Sequence, residues 1–318
     1  MDGLSALLEG PRARGAFLVR CLMAAPWAIR LADEVPISLT AVVRGAAWAL
    51  PDGRPPLELT AGDVVVAIGR EPWTLADSAT TPVTVTIRPG QQCYAPDGRG
   101  LTEEYDLGVR SWGNSIAGDT VLLSGSYLVD GEVSGRLLRA LPTLVIVTEK
   151  ELDSPLIPLL AREIVRDDPG QNAVLDRLLD LLLIAVLRTW FSRPDAAAPG
   201  WYAAQGDPVV GPALRRLQDD PGRPWTVASL AGTAAVSRAT FARRFTETVG
   251  EPPMAFLTGW RLALAADLLT DPALTLEAIA RRVGYSTAFA LSSAFKRQYG
   301  VSPREYRDRH AARLLPAS

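Results

Sequence analysis

Phe241-Ala242-Arg243-Arg244-Phe245-Thr246-Glu247-Thr248-Val249-Gly250-Glu251-Pro252-Pro253 returns fifty residues on as Leu291-Ser292-Ser293-Ala294-Phe295-Lys296-Arg297-Gln298-Tyr299-Gly300-Val301-Ser302-Pro303. What repeats is a skeleton: an apolar pair at i, i+4, then a Gly, then a Pro. Apolar residues at that spacing share one face of a helix. A Gly just beyond it takes the left-handed conformation, and the Pro suits the first position of the next helix. Spacing predicts a shorter helix before each copy, Val227–Ala235 behind an N-capping Thr226 and Leu276–Val283 behind an N-capping Thr275. The first turn runs through Ala235 and Val236, and Ser237 caps the helix that follows. The second turn is Gly284-Tyr285, with Ser286 or Thr287 as the cap. Helix, tight turn and helix, written twice at one interval, make a tandem helix-turn-helix. Ser302-Pro303-Arg304-Glu305 closes the stretch as a capping box.

Gly284-Tyr285-Ser286-Thr287, the run Phe295–Pro303 and Tyr306-Arg307 resemble the C-terminal signature of the AraC/XylS family of transcription regulators. The resemblance covers roughly residues 207–310. It implies two recognition helices entering successive major-groove segments of double-stranded promoter DNA. The helix Pro253–Leu269 would hold them apart, the segments lying about 34 Å from one another. It further implies RNA polymerase as a partner and a place on the nucleoid when bound.

With Phe241 and Phe245 facing the core, the first recognition helix turns Arg238, Ala239, Ala242 and Arg243 outward. Arg243 is the candidate base contact, because Arg to guanine is the commonest direct readout. Arg238 and Arg244 are assigned to phosphates. The second recognition helix departs from the family pattern, presenting Thr287, Ala288, Phe289, Ser292 and Ser293. Those hydroxyls bond phosphates or bases, and Phe289 suits a thymine methyl. Lys296 and Arg297, with Arg304 and Arg307, are candidate phosphate anchors. The alternative is that these charges are a solvated surface.

The chain has 318 residues, enough for two domains, and a net charge of −2. That charge argues against a nucleic-acid partner until it is divided. Residues 207–318 carry 15 Lys+Arg against 10 Asp+Glu, leaving 18 against 25 for the rest. A basic C-terminal third beside an acidic remainder is the asymmetry of a chain with one DNA-binding domain. No signal peptide is evident, and the most apolar stretch, Leu178–Trp190, is interrupted by Asp180 and Arg188. A cytoplasmic protein with no membrane partner is expected.

Residues 1–14 read as loosely ordered. From Gly15 to about Leu128 short strands alternate with turns: Phe17–Met23, Ile37–Leu50, Leu57–Leu59, Asp63–Ile68, Trp73–Leu75, Val83–Ile87 and Val121–Val129. Strands so closely spaced suggest a small barrel or sandwich. They resemble the cupin-type sensor domain that often precedes this DNA-binding domain, with Leu59–Val65 as its Gly-Asp turn. The fold class is therefore α+β and multidomain. A cupin-like β-barrel occupies 1–150, a helical dimerisation segment 151–192, a flexible linker 193–206 and an all-α tandem helix-turn-helix domain 207–318.

Metal-dependent cupins set two or three His and a Glu after the turn. Here the single His is His310, read as a solvated tail residue, and Gly69–Thr74 offers no imidazole. No metal, cofactor or catalytic residue is expected. A cupin enzyme fused to a DNA-binding domain is the disfavoured alternative, and a ligand-independent architectural DNA binder a third. Ser134–Leu141 reads as a short helix, Pro142–Thr148 as an extended segment, Ser154 to Val165 as a helix, and Gly170–Phe191 as another. That last helix has an apolar face wide enough for a homodimer, which the family precedent favours; full burial within the monomer is the alternative.

Trp27, Trp48, Trp73 and Trp112 are candidates to line a pocket for an apolar ligand, or else are simple core. Cys21 and Cys93 are the redox candidates. Arg88-Pro89-Gly90-Gln91-Gln92-Cys93 is similar to the region around the second cysteine of reactive-chlorine-sensing members of the family, with Arg88 where a His often stands. The resemblance implies that oxidation of Cys21, Cys93 or both alters DNA binding. The alternative is a pair of small buried hydrophobes.

Overall fold

The computed structural model describes residues 18–69, 71–127, 131–139, 141–194, 196 and 198–314, with side chains omitted at 134, 137 and 311–314. Residues 1–14, Phe17, Arg70 and Val129, which enter the expectations above, lie outside the described residues. The described residues fold as two units, one built from 18–127 and 141–196, the other from 131–139 and 198–314.

Among the described residues of the first unit, twelve strands make two six-stranded sheets. One contains β1 (Leu18–Met23), β3 (Ile37–Arg44), β6 (Val64–Ile68), β10 (Ser111–Gly113), β11 (Thr120–Tyr127) and β12 (Leu144–Val147), in the order β10-β1-β11-β3-β6-β12. The other contains β2 (Ala28–Leu31), β4 (Ala46–Pro51), β5 (Leu57–Thr60), β7 (Trp73–Ala76), β8 (Val85–Arg88) and β9 (Gln92–Tyr94), in the order β5-β4-β7-β2-β8-β9. The short strands β2, β9 and β10 escape the sequence reading: β9 and β10 have three residues each, and Ala28-Ile29-Arg30-Leu31 of β2 does not alternate.

Because successive side chains point to opposite faces, Val19, Cys21, Met23, Val42 and Leu122 of the first sheet meet Ile29, Leu75, Val85 and Cys93 of the second in one core. The outer face of the first sheet is also apolar, and helices cover it. α3 (Leu156–Glu163) packs on β3, and α4 (Gln171–Phe191) on β12. Gly125 of β11 lets the helix close in: a Cβ there would stand 2.7 Å from Leu179 Cδ2, and the Leu179 side chain would have to shift. The same coverage explains why all five residues of β6 are buried. α4 buries Leu175, Leu178, Leu179, Leu182, Leu183, Val186 and Leu187, and leaves Val174 and Leu181 44% and 50% exposed. Its wide apolar face is thus divided between core and surface. Arg193, placed by the sequence in a linker, is clasped to this unit by Glu151 of α2 (Glu149–Leu152) and the Ile146 carbonyl.

The second unit begins with a segment borrowed from the strand-rich half of the sequence. α1 (Glu132–Leu138) overlaps the Ser134–Leu141 expectation but starts and ends earlier, and it packs on α9 (Pro253–Leu269). The Asp267 carboxylate accepts the Glu132 and Val133 amides at 2.6 and 3.3 Å, taking two donors that a helix start leaves unpaired. Residues 198–206, also read as linker, are built into this unit as α5 (Gly200–Ala203) and a turn of 3₁₀ helix in which Ala204 is buried.

α6 (Val210–Asp219) leads into the two repeats: α7 (Val227–Thr233) with α8 (Arg238–Val249), and α10 (Leu276–Arg282) with α11 (Ala288–Tyr299), followed by α12 (Pro303–Leu314). The caps are those the sequence names. Thr226, Ser237, Thr275 and Thr287 each accept the N–H three residues on, and Ser302 and Glu305 close their capping box. Gly250 and Gly300 end α8 and α11 at φ of 94° and 74°. α9 serves both repeats. Its Phe256 and Trp260 continue an aromatic row from Phe241 and Phe245, while Leu262, Ala265, Ala266 and Leu269 join Ile279, Leu291 and Phe295. His310 is half-buried on α12 and not in a solvated tail, because that helix runs on to Leu314.

Candidate functional site

On α8 the i, i+4 spacing sends Phe241 and Phe245 wholly into the core, and Arg238, Ala239 and Arg243 are exposed, with Ala242 half-buried. Arg243 is held only by Glu247 one turn later, at 3.1 Å, and both side chains are largely solvated. Such a pair is worth little and releases easily. Arg244 differs. Its guanidinium grips the Asp207 carboxylate at 2.9 Å, and that carboxylate also accepts the Val209 and Val210 amides at the start of α6. Burial works against the charge on Asp207, but the Val210 amide, Arg244 and the Val209 amide together hold its carboxyl below the usual carboxylate range. Arg244 ties α6 to α8, and a phosphate role would compete with that tie.

On α11 Leu291, Ala294 and Phe295 are buried, and Thr287, Phe289, Ser293, Lys296 and Arg297 are exposed, with Ala288 and Ser292 half-buried. Thr287 spends its hydroxyl oxygen on the Ala290 amide at 3.1 Å. Phe289 is 81% exposed, so its ring is free to meet an apolar group such as a thymine methyl. Arg307, grouped by the sequence with the phosphate anchors, donates to the Leu269 and Leu274 carbonyls just past α9. Arg304 is exposed.

Between the sheets of the first unit lies a cavity of about 310 Å³, at the lower end of small-molecule sites. Val19, Ile29, Leu31, Leu75, Ile87 and Leu122 form its apolar wall, and both cysteines line it. Four hydroxyls face it from β3 and β11, where Ser38 pairs with Ser126 and Thr40 with Ser124. Of the four tryptophans offered as pocket walls, Trp112 lines the cavity and Trp27, Trp48 and Trp73 do not. Trp27 belongs to the core, and Trp73 packs there while also edging two small clefts beside it. Trp48 is half-buried and lies between Ala47 and Ala49, the two residues of β4 that take the core positions.

Burial pushes the Cys21 thiol up to about 12, and the neighbouring Cys93 adds to this. Cys93 is raised by burial too, with the Trp112 indole pulling the other way; that N–H approaches the sulfur without closing a hydrogen bond of ordinary geometry. The Cys93 thiol donates to the Gln91 carbonyl at 3.6 Å. Sequence reasoning missed Asp33, Gln91 and the four hydroxyls. Alternating Ser and Thr on a strand read as its solvent side, whereas here the solvent side is covered by helices and the polar side faces a cavity.

Residues 2–192 match the family described as Cupin, and residues 230–309 the family described as Helix-turn-helix domain. An AraC-like transcription regulator of Streptomyces lividans is 33% identical over 315 residues, covering 96% of this chain and 98% of its own. The RCS-specific HTH-type transcriptional activator RclR of Escherichia coli K12 is 33% identical over 153 residues, 48% of this chain and 54% of its own. The crystal structure of the DNA-binding domain of AdpA with a target DNA is 32% identical, covering 35% of this chain and all of that one, at a TM-score of 0.33.

A cupin-like strand-rich domain followed by paired helix-turn-helix units defines a DNA-binding transcription regulator. Among the described residues no helix is long and apolar enough to cross a membrane. The chain belongs to the AraC-like transcription regulators.

Proposed function

We propose that the strand-rich unit holds a small effector in its cavity and that occupancy changes how the two recognition helices engage a promoter. The observation that carries this is the cavity itself, walled by strands whose inward positions are polar where a solid core would be apolar. β11 supplies Leu122, Ser124 and Ser126 to the wall. The chain leaves β11 and within a few residues enters α1, which is capped by the linker helix α9 of the DNA-binding unit. Arg243 reads a base, Arg238, Lys296 and Arg297 take phosphates, and Phe289 packs on a thymine methyl. RNA polymerase is the further partner at the promoter, in the cytoplasm, on the nucleoid.

A thermal-shift screen of small molecules on the full chain tests the cavity reading, since a ligand of the folded state raises its melting temperature. Hits should lose their shift in Ser124→Phe, which fills the space between the sheets, and should alter the promoter footprint of the unsubstituted protein. Hits that act unchanged on Ser124→Phe would refute it.

A second reading, oxidant sensing, is favoured by one observation: Cys21 and Cys93 line the same cavity. The likeness to RclR, whose name makes it RCS-specific, supports it. The raised thiols weigh against it, because the thiolate is the reactive form. Mild hypochlorite followed by footprinting of Cys21→Ser and Cys93→Ser decides; an undiminished response in both removes the redox reading. Homodimerisation through α4 is supported by the exposed Val174 and Leu181, seven residues apart on one face. Leu181→Asp should then shift a dimer to monomer in analytical ultracentrifugation.

A further inference from the structure

The residues lining the cavity include one carboxylate and, among those described, no cationic side chain. The carboxylate is Asp33, on the turn after β2. It accepts a hydrogen bond from Gln91 Nε2 at 3.2 Å. Burial raises its carboxyl, opposed only by hydrogen bonds from Gln91 and from the Asp33 and Val35 amides; no charged group is among the influences on it. Among the described residues Asp33 therefore has donors but no countercharge, half-buried against a largely apolar space. Ser38, at one end of the hydroxyl row, shares a second small cleft with Asp33, so the carboxylate and the row meet at the same end of the cavity. Thr40 and Ser124, further along, already bond each other at 3.2 Å.

We propose that this cavity takes an organic cation, an apolar body of phenylalkyl size whose primary ammonium pairs with Asp33. The proposal rests on the reading of the cavity as the effector site and names the ligand class. An anion would be brought up against a carboxylate with no cation on the wall to offset it. A neutral ligand would strip water from Asp33 and return no charge. An ammonium offers three donors and no acceptor, which suits a carboxylate oxygen and the Ser38 hydroxyl together. Ile29, Leu31, Leu75 and Ile87 receive the apolar body.

The test uses three probes of one shape: 4-phenylbutylamine, 4-phenylbutan-1-ol and 4-phenylbutanoate, titrated calorimetrically into the full chain near neutral pH. The amine should bind about tenfold tighter than the alcohol, which can hydrogen-bond the Asp33 carboxylate but brings it no opposite charge, and the carboxylate weakest of the three. Asp33→Asn should remove most of the amine's advantage over the alcohol, with an unchanged melting temperature showing that the variant is folded. Asp33→Glu should keep the preference for the amine. Equal binding of amine and alcohol, both abolished by Ser124→Phe, overturns the cation proposal and leaves the cavity as the effector site. Amine binding that survives both Asp33→Asn and Ser124→Phe, or tightest binding of the carboxylate, also overturns it. No binding by any probe overturns the proposal, while hits of another class lost in Ser124→Phe would keep the cavity reading alive.

Discussion

Arg243 and Arg244 are adjacent on α8, and their surroundings give them different work. Arg243 has only a solvated partner in Glu247, so truncating it costs the fold little. Arg243→Ala should lose about 1–3 kcal/mol of affinity for the cognate site, measured by titration, with an unchanged melting temperature. Arg244→Ala should lower the melting temperature, because Asp207 and the start of α6 lose their tie. Cys21 makes a prediction of the opposite kind. Its thiol is pushed up to about 12, against an unfolded value of about 8.5. A raised folded value gives stability that is full below the unfolded one and is lost as pH climbs toward the folded one. The strand-rich unit should therefore weaken from about pH 9 upward, and Cys21→Ser should flatten that limb of a denaturation-against-pH profile. Near neutral pH, iodoacetamide should label Cys21 far more slowly in native than in denatured protein. The outward residues of α8 and α11 were legible because helical period and solvent agree there. Ser38, Thr40, Ser124 and Ser126 were not, since alternation says which residues share a face and not whether that face meets water, helix or cavity.

The two helix turns are near copies with one informative difference. In the first, Ala235 adopts φ of 52°, and in the second Gly284 adopts 85°. In both, the next residue donates back into the preceding helix, Val236 to Ala231 and Tyr285 to Ala280. An L-residue with a side chain pays for that backbone region, about 1–2 kcal/mol. The first turn tolerates the cost, but at Gly284 a Cβ would also stand 2.8 Å from the Gly222 carbonyl oxygen and 2.7 Å from Arg261. Gly284→Ala should thus destabilise by more than that backbone cost alone, while Ala235→Gly should be close to neutral by urea denaturation. Phe295, wholly buried and in ring contact with Tyr299 and Tyr306, should cost about 3–5 kcal/mol as Phe295→Ala. These elements were readable because caps, apolar spacing and terminal Gly all point the same way. The three-residue strands β9 and β10 were not, having no room for a pattern.

At the scale of the chain, sequence order and spatial grouping part company at residues 131–139. They follow β11 in sequence, yet the DNA-binding unit holds them. Asp267 caps α1, Arg136 lies over the Phe256 ring at 5.8 Å, and Gly259 leaves room for Arg136 where a Cβ would stand 2.5 Å from its Nη2. No periodicity announces this, because a seven-residue helix carries too little pattern to specify its partner. The division of charge was legible in the sequence, and the exchange of this segment was not. The consequence is a comparison between two proteins. In the full chain Asp267→Ala should remove the cap of α1 and cost about 0.5–2 kcal/mol of local stability, read as faster hydrogen exchange over Pro253–Leu269. In a fragment spanning residues 198–318 there is no α1 to cap, so that exchange should already be fast and Asp267→Ala should add little. Equal acceleration in the two proteins would mean that Asp267 serves α9 alone and that α1 is not held by it.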